Sequence, residues 1–357
     1  MTEAFPLPTN RVMFFAVLAL LVSAIASRGL ARIAARIGLV DRPGGRKQHE
    51  GIIPITGGLG IFIGFAVGVL GVGAAAANVQ ALVIALGILV FCGVADDLHD
   101  LSPRSKILFE IIAALLMTSW AGVQVTQVGN LLGFGAIGLY GWSIPFTVVC
   151  ALGTVNAFNM LDGLDGSAGG TALVATLWLA FAAMLQGLGL QAVMLLILAG
   201  AVAGFLLWNL RMPWRRHAVV FMGDAGSMML GFVLCWFTID LSQGAHRTLP
   251  PIACVWILAV PLVDMSRVMF VRKVRGVRLF EADREHLHHF LLDRGCSVQS
   301  AAAVMIGASV ACGGIGVGGW IAGVPEWALF YAFAALVGGI LAAAYARELR
   351  MRGEDGR

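Results

Sequence analysis

Residues 79–97 read VQALVIALGILVFCGVADD, an apolar run that ends in two adjacent carboxylates, Asp96 and Asp97. Wound as a helix, residues 79–95 would be roughly 26 Å long, close to the hydrocarbon thickness of a bilayer. An ionised carboxylate beside hydrocarbon is costly and is kept mainly where it does something. The same ending recurs. Asp162 and Asp165 close a second run, in NAFNMLDGLDG (156–166), and Asp224 opens a third, in FMGDAGS (221–227). Carboxylates gathered at one membrane face form a cation site, and Mg²⁺ is a hard ion that favours oxygen ligands and phosphate-bearing substrates.

The rest of the chain agrees with the first run. It is 59% hydrophobic and 12% charged over 357 residues, with a mean hydropathy of +0.88. A soluble domain carries roughly 25% charged residues, so the composition predicts an all-α polytopic membrane protein. The 46 glycines suit close helix packing in a bilayer. The six cysteines include no C-x-x-C pair and read as small buried hydrophobes.

Hydropathy places spans at 12–27, 57–76, 79–95, 107–122, 143–160, 168–186, 189–208, 218–238, 250–270, 299–321 and 326–345. Met13–Ala26 resembles a signal peptide ending in a small-residue site. The basic flank of Arg28, Arg32 and Arg36 favours a retained span with the N-terminus outside. On that threading the inner segments hold 21 Lys and Arg, against Arg11 and Arg247 outside. This predicts a periplasmic N-terminus, a cytoplasmic C-terminus and all five aspartates at the cytoplasmic face. Residues 28–38 read as an interfacial amphipathic helix, and Gly129–Tyr140 as an outer loop or hairpin.

Several motifs share that face. Asp41-Arg42-Pro43 with Arg46, Lys47 and His49 makes a basic loop, suited to anionic headgroups or a substrate phosphate, or simply to inside topology. Asp96 and Asp97 repel, so both stay ionised only beside a cation; otherwise one becomes a base, or the pair is a solvated cap. Asn159 and Asp162 share a helical face before Gly163 and Gly166 break the helix. Gly223 and Gly226 flank Asp224 and permit close backbone approach to a ligand. His286, His288 and His289 follow Asp283 and Arg284. Three histidines suggest zinc, but no cysteine is suitably placed, and phosphate contact or acid–base work is as plausible. Asp264 and Arg267, three apart within a span, read as a structural pair.

In this order these motifs resemble the polyprenyl-phosphate N-acetylhexosamine-1-phosphate transferases, over about residues 28–295. The likeness is greatest to the undecaprenyl-phosphate N-acetylglucosamine-1-phosphate transferase branch, which starts O-antigen and related glycans. The sister phospho-MurNAc-pentapeptide transferases have an uninterrupted triple histidine, where this chain has His286-Leu287-His288-His289. The resemblance implies one membrane-embedded transferase domain in the bacterial inner membrane. It implies a reaction in which UDP-N-acetylglucosamine and undecaprenyl phosphate give the lipid pyrophosphoryl sugar and UMP, with Mg²⁺, or Mn²⁺ in its place.

By the same resemblance Asn159 and Asp224 hold the metal, and Asp96 and Asp97 deprotonate or orient the lipid phosphate. Lys106, His286, His288 and His289 steady phosphate charge, His288 with a catalytic part. Asp162 and Asp165 bind uridine or support the metal site, Asp162 catalytically. Arg46, Lys47, His49, Asp283 and Arg284 contact substrate. A homodimer is implied too, and no nucleic-acid partner. Two other readings stay open: the same chemistry on another UDP-N-acetylhexosamine, and a cation-coupled transporter, which would place its acids along the midplane.

Overall fold

The computed structural model describes residues 9–42, 51–73, 76–212, 214–244, 247–277 and 286–355. The chain opens with α1 (Thr9–Gly29), α2 (Ala31–Ile37), β1 (Val40–Asp41), β2 (Ile53–Pro54), α3 (Gly57–Val72), α4 (Ala77–His99) and α5 (Pro103–Ser119). It continues through α6 (Ser143–Leu161), α7 (Ser167–Leu185), α8 (Gly189–Asn209) and α9 (Gly223–Ser242). It ends with α10 (Pro251–Ile257), α11 (Ala259–Arg275), α12 (Leu287–Asp293), α13 (Val298–Ile321) and α14 (Glu326–Asp355).

The protein is all-α and multi-pass. Ten of the eleven expected spans fall on single helices, and 250–270 falls on two. Among the described residues eight helical segments are long and apolar enough to cross a membrane, with a ninth if α10 and α11 form one span. Helix α3 is apolar but only 16 residues long, and α5 carries Arg104, Lys106 and Glu110 in 17 residues. By length and apolarity alone, eight or nine spans qualify among the described residues.

The expected straight span 250–270 is instead broken, with α10 and α11 meeting at 78°. Pro261 explains the break: its ring would clash with the Ile257 carbonyl four residues back. The amphipathic helix expected at 28–38 is α2, with Ala31 and Ala34 buried and Ile33 and Ile37 exposed. Gly129–Tyr140 belongs to a hairpin, in which Val128 N–H donates to Ile137 O at 3.0 Å and Leu139 N–H to Thr126 O at 2.8 Å. The two-residue ladder Val40↔Pro54 and Asp41↔Ile53 was not legible in advance. All six cysteines are free; Cys92, Cys235 and Cys254 are buried, the other three half-buried.

The core is built around α9, in which every residue from Ala225 to Ile239 is buried. Phe232 and Phe237 anchor it. Outer helices expose Phe14, Ile25, Leu70, Phe91 and Val149, the faces expected against lipid. Small residues set the helix spacing. Gly58 on α3 and Gly93 on α4 leave no room for a Cβ, because the first turn of α9 is wedged against both backbones. That wedge brings the ends of α3, α4 and α9 to one place.

Candidate active site

Helix α4 ends with Asp96 and Asp97 in its last turn. The chain reverses at once: Asp100 adopts φ 51°, and Asp96 Oδ1 accepts the Leu101 N–H at 2.8 Å. Ser102 then caps α5, accepting the Ser105 N–H at 3.2 Å, with Pro103 in the first turn. This tight turn aims Lys106 back at α4. Its ammonium lies 3.0 Å from Asp96 Oδ2 and 3.1 Å from Asp224 Oδ2. One lysine thus joins three helices by charge-assisted bonds.

Asp224 sits in the first turn of α9, behind Gly223 at φ 71°. A Cβ on Gly223 would stand 2.5 Å from Asp97 Oδ2, so only glycine lets the two elements approach. The Asp224 N–H donates to Asp97 Oδ1 at 3.2 Å, putting that carboxylate at the positive end of the helix. Asp97 Oδ2 is buried without a hydrogen-bond partner. An orphaned buried oxygen of this kind calls for a proton, a cation or a ligand.

Helix α6 supplies the next side chains. Asn159 donates through Nδ2 to Ser227 Oγ at 3.1 Å, one turn along α9 from Asp224. Asn156 donates to Glu110 Oε2 at 2.8 Å. Glu110 is buried, one turn from Lys106, and sequence reasoning missed it. Its signal was an acid inside an expected span, four residues from a lysine.

The helix ends at Leu161, so Asp162 lies beyond it instead of sharing a helical face with Asn159. The loop is pinned elsewhere. Asn209 Oδ1 accepts the Gly166 N–H at 2.8 Å, and Asp165 is paired with Arg211 at 2.7 Å. The Asp162 carboxylate has no hydrogen-bond partner among the described residues. Burial, then the charges of Asp224, Asp97 and Asp165, push its pKa up to about 8.

The histidines approach from a third side. His286 Nδ1 lies 3.1 Å from Asp264 Oδ2, and Asp264 Oδ1 accepts the Leu287 N–H at 2.8 Å. Asp264 stands 3.8 Å from Arg267, too far for a hydrogen bond. The expected ion pair with Arg267 is thus present, and the hydrogen bonds of Asp264 go to the histidine turn. His288 is buried and stacks on His286, ring centroids 5.4 Å apart. Its ring packs on Gly163, where a Cβ would stand 2.5 Å from Cε1. Burial, then His289 and His286, push its pKa down to about 3, so the ring stays neutral. Its Nδ1 is buried without a partner. His289 lies 4.2 Å from His288, centroid to centroid.

The fold thus gathers Asp96, Asp97, Lys106, Asn159 and Asp224, and packs the His288 ring on Gly163, the residue after Asp162. Arg46, Lys47, His49, Asp283 and Arg284 lie outside the described residues. Among the described residues no three His, Cys, Asp or Glu side chains converge in metal-ligating geometry. The oxygens of Asp224, Asn159 and the orphaned Asp97 still suit Mg²⁺, which is typically held by one or two carboxylates and completed by substrate phosphates.

The sequence profile of the glycosyl transferase family 4 matches residues 79–242, from α4 to the end of α9. Three curated bacterial proteins, each called undecaprenyl-phosphate alpha-N-acetylglucosaminyl 1-phosphate transferase, are similar along most of their length. The one from Yersinia pestis is 31% identical over 303 residues, covering 85% of this chain and 83% of that protein. The one from Escherichia coli K12 is 30% identical, covering 85% and 82%. The one from Haemophilus influenzae is 32% identical, covering 84% and 85%.

Proposed function

The chain belongs to glycosyl transferase family 4, and on that premise we propose that it moves N-acetylglucosamine 1-phosphate from UDP-N-acetylglucosamine to undecaprenyl phosphate. UMP leaves. The observation that carries this reading is Lys106 held between Asp96 and Asp224, with Asp97 and Asn159 beside it, where three membrane helices end. Both substrates are anionic, and phosphoryl transfer is governed by alignment and charge neutralisation more than by covalent help.

An oxygen of the lipid phosphate forms a bond to the phosphorus that bears the sugar, and the bond from that phosphorus to UMP breaks. Asp97, with its unpartnered buried oxygen, takes the acceptor's proton and aims the attacking oxygen. Asp96 is committed to Lys106 and to Leu101 N–H, so it sets the position of the lysine. Lys106 offsets charge on the pyrophosphate and on departing UMP. Asn159 and Asp224 would hold Mg²⁺, which supplies Lewis-acid neutralisation of the pyrophosphate oxygens. Asp162 and neutral His288 flank the loop on the donor side. Asp165, tied to Arg211, holds that loop in place.

The inner membrane, with these helix ends facing the cytosol, follows from the distribution of basic residues. It suits a lipid acceptor in the inner leaflet and a soluble nucleotide donor. The assay is purified protein with Mg²⁺, undecaprenyl phosphate and each labelled UDP-N-acetylhexosamine in turn. Label from UDP-N-acetylglucosamine should enter lipid. Label from another UDP-sugar alone would overturn the choice of sugar, and silence with all of them would overturn the reaction.

A further inference from the structure

Six residues close a ring through α5, α6 and α9. Lys106 on α5 meets Asp224 on α9 at 3.1 Å. Ser227, one turn along α9, accepts from Asn159 Nδ2 at 3.1 Å. Asn156, one turn before Asn159 on α6, donates through Nδ2 to Glu110 Oε2 at 2.8 Å. Glu110 stands one turn after Lys106 on the same face of α5, which returns the ring to its start. The mechanism above uses Lys106, Asp224 and Asn159, and leaves Glu110 and Asn156 without a task.

Glu110 is only 3% exposed, an acid within an apolar run. A buried carboxylate is costly and is kept mainly where it does something. Its partner is firmly held: Asn156 commits one amide hydrogen to Glu110 and the other to Leu152 O, at 2.8 Å. The α5 side is less anchored. Pro103 to Phe109 are exposed or half-buried, and Glu110 is the first fully buried residue of that helix. Ala113, Ala114 and Met117 follow it into the interior. The turn that carries Lys106 therefore lies between two fixed points. One is the chain reversal, where Asp96 Oδ1 accepts the Leu101 N–H, and the other is the Glu110–Asn156 bond. A lysine ammonium rides on a flexible stem, so its resting place depends on how the start of α5 is seated.

We propose that Glu110 is a positioning residue for the transfer, a role that rests on the reaction proposed above. Its hydrogen bond to Asn156 seats α5 on α6 and so holds the Lys106 ammonium between Asp96 and Asp224. The acceptor oxygen carries the role and not the charge, because the donor is a neutral amide and Lys106 already has two carboxylates.

The test measures transfer of label from UDP-N-acetylglucosamine to undecaprenyl phosphate by the full chain and its variants, each checked for folding by circular dichroism. Glu110→Gln keeps an acceptor for Asn156 and should stay within about threefold of the unmodified chain. Glu110→Leu keeps the bulk and loses the acceptor, and its kcat should fall about tenfold or more, the scale of a small misplacement at the reacting groups. Made on top of Lys106→Met, the same change should cost less than about twofold, because a residue that acts through the lysine has nothing left to position. Equal losses with and without Lys106 would make Glu110 a structural residue and overturn the proposal. Full activity in Glu110→Leu, or a Glu110→Gln as slow as Glu110→Leu, would overturn it too. Should Glu110→Leu not fold, Asn156→Ala cuts the same bond from α6 and decides by the same comparison with Lys106→Met. A silent unmodified chain would overturn the reaction and this role together; an active chain indifferent to these changes would overturn this role alone.

Discussion

Lys106 and Asp224, 118 residues apart in the chain, meet at 3.1 Å. The contact ties the first turn of α5 to the first turn of α9, and the same ammonium holds Asp96 at 3.0 Å. Without the lysine two half-buried carboxylates face each other uncompensated. Lys106→Met should lower kcat/KM by about 10²-fold or more, the scale of losing one preorganised electrostatic group. Lys106→Arg should recover part of the loss. Steady-state kinetics on both variants, with circular dichroism to verify the fold, checks this; near-normal turnover in Lys106→Met would make the lysine a topological charge only.

Asp97 is the group with an unused buried oxygen. Asp97→Asn keeps the volume and the acceptor for the Asp224 N–H but cannot take a proton. Transfer should fall by roughly 10²- to 10⁴-fold, the usual contribution of a general base. Thermal stability without added metal should hold or rise, because a desolvated charge has been removed. A variant that loses stability and keeps its rate would assign Asp97 to structure.

Gly223 should tolerate no side chain. Alanine there costs roughly 1–2 kcal/mol in backbone conformation alone, and its Cβ would press on Asp97 Oδ2. Gly223→Ala should fold with a lower thermal midpoint and lose most of its activity. Wild-type rates would show that Asp97 does not need its present position.

His288 should make the protein acid-sensitive. Its folded pKa is depressed to about 3, against about 6.5 when unfolded. The unfolded chain therefore binds more protons below about pH 6.5, and stability falls as the pH drops from there towards 3. At pH 5 this single group should account for on the order of 2 kcal/mol. Thermal midpoints of wild type and His288→Gln between pH 7 and 5 check it: wild type should fall more steeply. Parallel slopes would show that His288 is protonated in the folded protein.

The apolar helices and the carboxylates at their ends were legible because each is a local pattern, hydropathy broken by acids. What stayed hidden depends on partners far along the chain. Asp264 was visible as an acid paired with Arg267 one turn away, but its hydrogen-bonded partner, His286, lies 22 residues on. Glu110 sat in an apolar run, and only the packing of α5 on α6 brings Asn156 to it. Asp165 carried no sign of Arg211. The break before α11 could have been read from Pro261, because a proline inside an apolar run removes a hydrogen bond and clashes one turn back.

The most direct test follows both products at once, in purified protein with Mg²⁺, undecaprenyl phosphate and labelled UDP-N-acetylglucosamine, beside Asp224→Asn as control. The account predicts labelled lipid and UMP in equal amounts, dependent on lipid and on Mg²⁺, and neither product from a folded Asp224→Asn. UMP release without labelled lipid, or full turnover by Asp224→Asn, would contradict it.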